Sequence, residues 1–204
     1  MPNYVNNILK ISCDDDKILE KIKALMFTID SEGELNYTME KLLPMPKEFS
    51  DIEGYNDYGY NWCCVMWGTK WDVCDPEVLL SGNTIRIHYE TAWSPNTEWV
   101  ESLCKYIKWM LYAIDDQPTI ELVHEYSEIG MNFGGILEWS PDKKFKYHEY
   151  SLMEYAYLYH KDFHDSMVEC LGFEPFNPVE KRFYELYNKV TGYSISYRDL
   201  SAYS

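Results

Sequence analysis

The chain has 204 residues, with 18 Lys or Arg against 34 Asp or Glu and a formal net charge of −16. This charge disfavours nucleic-acid binding, because affinity for nucleic acids comes largely from Lys and Arg that neutralise phosphates. It disfavours an anionic membrane surface for the same reason. A field of this sign attracts cationic ligands and basic protein surfaces, which are therefore the expected partners.

Aromatic residues are unusually frequent, with 19 Tyr, 8 Phe and 7 Trp, so we expect a packed chain rather than a disordered one. The N-terminal residues do not combine a basic segment with an apolar one, so we expect no secretory signal. The apolar runs are far shorter than the ~20 residues of a membrane-spanning helix. Six cysteines without a regular framework are then expected to be reduced thiols, as in a cytoplasmic protein.

The first part of the chain predicts a strand followed by a helix. Residues 3–13 alternate apolar and polar side chains, which indicates a strand. Apolar residues from Ile18 to Ile29 then recur at helical spacing. Asp14, Asp15 and Asp16 precede this stretch, at the place where a helix N-terminus accepts negative charge and a side-chain cap. We interpret them as a cap rather than a metal cluster, since consecutive carboxylates diverge in direction.

The middle of the chain predicts strands separated by an irregular segment. Leu35 to Leu43 is typical of a short strand that prolines end. Residues 47–61 are polar and rich in Gly and Tyr, so we expect a loop or lid there. Residues 62–72 have the composition of a strand crowded with Trp. Residues 84–93 alternate in the manner of a strand with one solvated face.

The clearest predicted helix begins at Ser94-Pro95, with serine as N-cap and proline in the first helical position. Its apolar stripe runs from Trp99 to Ile114. Two further strands are predicted over residues 119–126 and 133–139, and a turn joins them at residues 127–130.

These elements predict an α+β fold, in which two helices alternate with the strands of an antiparallel sheet. The simplest such fold is a ferredoxin-like βαββαβ sandwich with extra antiparallel strands and a C-terminal helical extension. Residues 1–140 would form the ferredoxin-like domain, and residues 141–204 the helical, Tyr-rich extension. Both helices would cover one face of the sheet. The open face would carry Arg86, His88, Glu90, Glu121 and Glu125.

Short phrases spread over residues 1–140 carry a resemblance to a known family. They are Met1-Pro2-Asn3, Pro44-Met45-Pro46, Trp67 to Asp72, Thr91 to Pro95, and Glu128-Ile129-Gly130 with Phe133 and Gly135. In this order and spacing they resemble the YubB-like proteins, a family of phage and plasmid proteins with a ferredoxin-like domain. Tyr4 stands where the family pattern has Trp. The resemblance implies a ferredoxin-like fold and a home on mobile genetic elements of a bacterial host, and it implies no catalytic residue.

Two of these phrases and Glu128 could supply a pocket for a small ligand. If residues 62–72 form a regular strand, Lys70 and Asp72 lie on the same face. Together with Glu128 they would make a polar cluster. Its aromatic walls would be Trp67, Trp71 and Trp93. The alternative is a structural role, in which Lys70 pairs with a carboxylate and its stem packs over tryptophan.

The remaining motifs predict neither a metal nor a cofactor. His160 and His164 are four apart in a predicted helix, but a zinc site needs three or four placed ligands, so we expect a solvated helix face. Cys63, Cys64 and Cys74 are interpreted as small core residues, since no cysteine-hydrolase signature accompanies them. We therefore assign no catalytic residue.

The tyrosines near the C-terminal end are more numerous than one helix stripe can bury. Because Tyr is enriched at interfaces, a partner surface and a packing face are both open interpretations. The candidate partner-binding residues are Tyr150, Tyr155, Tyr157, Tyr159, Asp162, Asp165 and Glu169.

Three functions remain open from the sequence. The leading hypothesis is an acidic, non-enzymatic protein that binds a host protein with a basic surface, as an inhibitor of a defence or nucleic-acid-processing protein. The alternative is an enzyme or ligand-binding domain built around Lys70, Asp72 and Glu128. RNA binding on the open sheet face is compatible with the fold but opposed by the charge.

Overall fold

The computed structural model describes residues 3–29, 33–50, 57–112, 114, 117–128 and 130–150. The described residues belong to one compact unit, Met1–Leu152. The predicted helical extension beyond residue 150 lies outside them. None of the described helices combines the length and apolar character needed to cross a bilayer.

The described part of the chain is α+β, which confirms the predicted class. Its strands are β1 (Tyr4–Cys13), β2 (Phe27–Ile29), β3 (Leu35–Tyr37), β4 (Cys74–Ser81), β5 (Thr84–Ala92), β6 (Ile120–Glu128), β7 (Phe133–Trp139) and β8 (Lys146–Tyr150). Its helices are α1 (Asp16–Met26), α2 (Lys47–Ser50), α3 (Asp57–Met66) and α4 (Thr97–Leu111), with a 3-10 turn at Met39–Lys41.

Six of these strands form one antiparallel sheet in the order β4-β5-β1-β6-β7-β8, and β2 and β3 form a separate hairpin. The first strand, β1, is central, because it pairs with β5 on one side and with β6 on the other. Helix α1 follows β1, and α4 connects β5 to β6. The first described strand therefore lies inside the sheet, and the later strands are added on both sides of it.

The core lies between one face of the sheet and the helices. Every second residue of β1, β5 and β6 is buried on that face. Helix α1 contributes Ile22 and Met26 to the same cluster, and α4 contributes Trp99, Leu103 and Ile107. Burial of side chains of this size stabilises the fold by roughly 1.5–3 kcal/mol each. The strand periodicity predicted the buried face, and the structure confirms it.

The opposite face of the sheet is the polar one, as the alternation predicted. Arg86 and Glu121 are exposed there, and Lys10 of β1 pairs with Arg86 in register. Glu125 is only partly exposed. Burial raises the pKa of its carboxyl group, and the nearby Arg86 and Lys10 act in the opposite direction.

The two predicted helix starts have different outcomes. At α1 the cap is confirmed, since Asp15 Oδ1 accepts hydrogen bonds from the backbone N–H groups of Lys17 (2.8 Å) and Ile18 (3.0 Å). At α4 the predicted start is wrong. Asn96 occupies the N-cap position without a side-chain capping bond, and the Ser94 hydroxyl instead donates to the carbonyl of Gly68 at 2.5 Å.

The predicted strand at residues 62–72 is also wrong, because α3 runs through Met66 and irregular turns follow. Gly59, Cys63 and Trp67 are buried at intervals of four, which is helical spacing. A short apolar run cannot distinguish a strand from a buried helix by composition. The predicted loop or lid at residues 47–61 contains α2 and the start of α3. The predicted strand from Leu35 shortens to β3 followed by the 3-10 turn.

The sheet continues beyond residue 140. Residues of the expected connector form β8, which pairs with β7 from Glu138↔Lys146 to Gly134↔Tyr150. Five residues assigned to the predicted extension are therefore part of the sheet. The division of the chain at residues 140 and 141 stays a prediction.

Candidate functional site

The two Trp-containing phrases meet where α3, β5 and α4 come together. The Thr69 hydroxyl donates to the carbonyl of Ala92 at 2.9 Å, in addition to the bond from Ser94 to Gly68. These bonds join the turn after α3 to the connection between β5 and α4. We call the side chains of Lys70, Trp71 and Trp93 at this place the Trp junction.

The Trp junction places an ammonium group over two indole rings. Lys70 Nζ lies 4.3 Å from the ring centroid of Trp93 and 4.8 Å from that of Trp71. At such distances the cation is attracted to the negative face of the ring. Lys70 therefore makes a cation–π contact with both Trp71 and Trp93.

Trp93 has an unusual backbone. Its φ of 72° lies in the left-handed region, and its side chain is 49% exposed. A bulky residue in this region costs about 1–3 kcal/mol and persists only where the surroundings fix it. Here the N–H of Trp93 donates to the carbonyl of Asn3 at 2.8 Å, and Tyr60 contacts the indole edge-on. These contacts fix the Trp93 side chain in a half-exposed position.

Asp72 has a structural set of partners. Its Oδ1 accepts hydrogen bonds from the backbone N–H groups of Met39 and Val73, both at 2.8 Å. Its Oδ2 accepts one from the hydroxyl of Thr38. Because Thr38 and Met39 begin the 3-10 turn, Asp72 connects that turn to the segment before β4.

The side chains of Glu128 and Trp67 also make hydrogen bonds to backbone groups. The buried carboxylate of Glu128 accepts hydrogen bonds from the N–H groups of Gly130 (3.0 Å) and Met131, and so closes the turn between β6 and β7. Buried Trp67 packs edge-on against Trp62, and its Nε1 donates to the carbonyl of Leu43 at 3.0 Å.

The predicted ligand-binding residues therefore do not form one cluster, and Trp67 is buried against Trp62 and Leu43. Lys70, Trp71 and Trp93 come together in the Trp junction. Asp72 and Glu128 each satisfy backbone groups of a different turn. Ligand binding by these residues stays a prediction, as does the structural alternative for Lys70, of which the contact with tryptophan is observed.

The core also contains a buried polar network that the sequence pattern did not predict. His124 Nε2 is 3.0 Å from Asn7 Oδ1 and 3.4 Å from the hydroxyl oxygen of Tyr89. The amide Nδ2 of Asn7 donates to Val5 and to Thr91 Oγ1, and the Tyr89 hydroxyl donates to Asn96 Oδ1 at 2.8 Å. The network ties β1, β5 and β6 to the start of α4.

The network fixes the protonation state of His124. Since Asn7 Oδ1 can only accept, Nε2 must carry the proton of the neutral ring. Nδ1 is then an acceptor, and it makes no hydrogen bond with any described residue. Complete burial lowers the pKa of His124 to about 3, so the ring is neutral at physiological pH. Burial likewise raises the pKa values of Tyr89 and Tyr37.

No group of three possible metal ligands occurs among the residues that the structure describes. Cys63 is buried there as predicted, whereas Cys64 and Cys74 are partly exposed.

Tyr150, one of the candidate partner-binding residues, is partly buried at the end of β8. The following predicted residues lie outside the described ranges: Tyr155, Tyr157, Tyr159, His160, Asp162, His164, Asp165 and Glu169.

The outer surface of α4 presents aromatic side chains to solvent. Tyr106 is 44% exposed, Trp109 77% and Tyr112 89%. Their spacing of three residues keeps them on one side of the helix, opposite the buried stripe. We call these three residues the α4 aromatic row. A solvated helix face usually carries charged or polar residues, so the row is unusual.

Comparison with known proteins gives little further identification. No family model and no curated protein matches the chain. Among solved structures, the chain is weakly similar to the crystal structure of a protein Api92 from Yersinia pseudotuberculosis, described under the family model DUF1281. The two share 14% identity with a TM-score of 0.42. The match covers 58% of this chain and 43% of that one, less than half its length. Membership of the YubB-like family stays a prediction.

Proposed function

We propose that the chain is an acidic protein-binding protein of a mobile genetic element, acting in the cytoplasm of a bacterial host. The α4 aromatic row is the observation that carries this proposal. Exposed Trp and Tyr side chains provide large, rigid contact areas at a small entropic cost, which is why they dominate interface energies.

The net charge indicates the kind of partner. A chain at −16 repels acidic proteins and attracts basic ones, and this attraction raises the rate of encounter. The partner is therefore a host protein with a basic surface. An acidic protein that occupies such a surface blocks nucleic acid from it, so the consequence is inhibition of a defence or nucleic-acid-processing protein.

The arrangement of elements supports the ferredoxin-like part of the proposal. The four strands β4, β5, β1 and β6 are adjacent, and α1 and α4 connect them in the sequence order of a βαββαβ sandwich. In that arrangement β7 and β8 are the extra strands.

The test compares the full chain with a variant in which Trp109→Ser and Tyr112→Ser are combined. Each chain is immobilised and exposed to lysate of a bacterial host, and the captured protein is then purified and its affinity measured. We expect one stoichiometric basic partner, weakened at high salt because screening shortens the reach of the charges. The double variant should bind at least about tenfold more weakly, as expected for interface aromatics.

Tyr58→Ser is the matched control, since Tyr58 is 69% exposed on a different helix. Removal of this ring should leave affinity unchanged. The proposal is contradicted if the purified partner binds the double variant and the unmodified chain equally well, or if no partner is captured at any salt concentration.

A further inference from the structure

One concave pocket among the described residues has a charge opposite to that of the chain. It lies between α4 and the segment that joins β7 to β8, with a volume of about 480 Å³. Its lining includes four lysines and two aromatic residues: Lys105, Lys108, Lys143, Lys144, Trp139 and Phe145. Pockets that hold small molecules have volumes of roughly 300–1,000 Å³, so this one has a suitable size.

The lysines of this pocket are largely available to a ligand. Lys105 forms an ion pair with Glu101 at 3.2 Å, and its side chain is mostly exposed. Within the described ranges, Lys108, Lys143 and Lys144 have no ion-pair partner. Asp142 is exposed beside them and is held by the Ser140 hydroxyl at 2.9 Å. Four lysine side chains thus line one pocket in a chain with only 18 basic side chains.

The floor of the pocket is apolar and partly planar. The rings of Trp139 and Phe145 have centroids 6.3 Å apart with an angle of 29° between their planes. Trp139 is buried, whereas Phe145 is partly exposed, and its ring centroid also lies 6.2 Å from that of Tyr147. Offset stacking of aromatic rings is worth about 0.5–1.5 kcal/mol beyond the area that it buries.

We propose that this pocket binds a free nucleotide, with the base against Phe145 and the phosphates among the four lysines. A nucleotide combines a planar ring with several negative charges, and the pocket offers an apolar floor with a cationic rim. Lysine is a common ligand of phosphate, as a mobile point charge. The inference is argued from the pocket and not from the α4 aromatic row, although Lys105 and Lys108 lie one helical turn before Trp109 and Tyr112.

The charge of the rest of the chain favours a small ligand over a nucleic acid. Four lysines can neutralise the phosphates of one nucleotide inside the cavity. A longer polyanion would extend beyond the pocket onto a chain whose net charge is −16. Because exposed charges interact over about 8–10 Å at physiological salt, the outer phosphates would experience that repulsion.

The test is calorimetric titration of the full chain at low salt with ADP, adenosine, pyrophosphate and a short single-stranded DNA. We expect ADP to bind, and both adenosine and pyrophosphate to bind at least about tenfold more weakly, because each lacks one half of the recognised chemistry. The oligonucleotide should bind more weakly than ADP. Higher salt should weaken ADP binding.

Substitutions separate the two parts of the pocket. Combined Lys108→Gln and Lys144→Gln should weaken ADP binding by about tenfold or more, since a charge-assisted hydrogen bond is worth roughly tenfold or more. Phe145→Leu keeps an apolar side chain and should weaken ADP but leave pyrophosphate unchanged. Lys21→Gln, an exposed lysine of α1, is the control and should change neither.

Absence of heat with millimolar ADP would overturn the proposal, as would unchanged affinity in the double lysine variant whose circular dichroism matches the unmodified chain. Pyrophosphate binding as tightly as ADP would also overturn it, in favour of an inorganic anion site. An oligonucleotide that binds more tightly than ADP would overturn it in favour of a nucleic-acid surface.

Discussion

His124 shows how one buried side chain determines a response to pH. Its neutral ring donates from Nε2 to Asn7, and its pKa is lowered from 6.5 to about 3 because it is completely buried. In the unfolded chain the same ring takes up a proton below pH 6.5. Between these two values the unfolded state binds more protons, so acidification favours unfolding.

We predict that the chain loses about 2–3 kcal/mol of stability through His124 when the pH falls from 6.5 to 4.5, at about 1.4 kcal/mol per pH unit. The contribution is fully present above pH 6.5 and declines as the pH approaches 3. In His124→Gln the amide can still donate to Asn7, but it cannot titrate. Urea denaturation at both pH values measures the difference between the two chains.

His88 provides the control, because it lies on the opposite face of the sheet and is partly exposed. His88→Gln should have the same pH dependence as the unmodified chain. If His124→Gln and the unmodified chain lose equal stability on acidification, the neutral buried histidine is not what makes the fold sensitive to acid.

The burial of His124 follows from the sequence, but its partners do not. His124 shares the face of Ile120 and Leu122 at a period of two, so the alternation that predicted β6 also places it in the core. Its hydrogen-bond partner Asn7 is 117 residues away. A pairing of this kind depends on the register between β1 and β6, which no local pattern specifies.

Between elements, the ring of Tyr126 packs tightly on Gly135. The two residues face each other across β6 and β7, and Tyr126 is 6% exposed. A Cβ atom at Gly135 would lie within 2.8 Å of Tyr126 Cε2 and would overlap other atoms of the ring. Glycine is therefore required here for space, since any side chain displaces the tyrosine.

We predict that Gly135→Ala lowers the free energy of unfolding by about 1–3 kcal/mol, the usual cost of overpacking a core. Thermal or urea denaturation measures the loss. The same substitution should cost much less in a Tyr126→Ala background, where the ring is absent. A double-mutant cycle thus reports the contact itself, and additive effects of the two changes would contradict it.

At the scale of elements, the success of sequence patterns depends on their length. The nine-residue strands β5 and β6 have clear alternation and were predicted, as was β7. β4 was missed because Pro76 and a register shift between Cys74 and Glu77 interrupt its pattern. β8 was missed because its charged residues resemble a connector, although its pairing with β7 makes it a strand.

For the molecule as a whole, β8 and the segment before it extend the folded unit beyond residue 140. Beyond its ladder with β7, Phe145 stacks near Trp139, and the Tyr147 hydroxyl bonds to Glu101 of α4. The Tyr126 hydroxyl donates to Glu149 at 3.4 Å. These contacts join the end of the sheet to the core and to α4.

We predict that a fragment of residues 1–152 unfolds cooperatively, and that a fragment of residues 1–140 is less stable by about 2 kcal/mol or more. The shorter fragment leaves β7 as an unprotected edge and uncovers Trp139. Urea denaturation of both fragments makes the comparison without residues 153–204. Equal urea midpoints of the two fragments would show that residues 141–152 add no stability, as the predicted boundary at residue 140 implies.

The fold class was predictable from the order of elements, whereas the candidate site was predictable only in part. Lys70, Trp71 and Trp93 lie together in the Trp junction. Asp72 and Glu128 instead accept hydrogen bonds from backbone N–H groups, which a strand prediction could not anticipate. The lysine pocket depends on α4 and the β7–β8 segment meeting in space. Lys143 and Lys144 are a short basic pair in sequence, and only tertiary packing adds Lys105 and Lys108.

The central position of β1 has a consequence for synthesis on the ribosome. β1 emerges before both of its neighbours, β5 and β6, and the bond from Asn7 to Thr91 spans 84 residues. Until residue 128 has been added, the apolar face of β1 lacks its complete set of neighbours. Nascent chains of this length should therefore depend on chaperones to protect that face, because pairing between distant strands is slow and leaves apolar surface exposed.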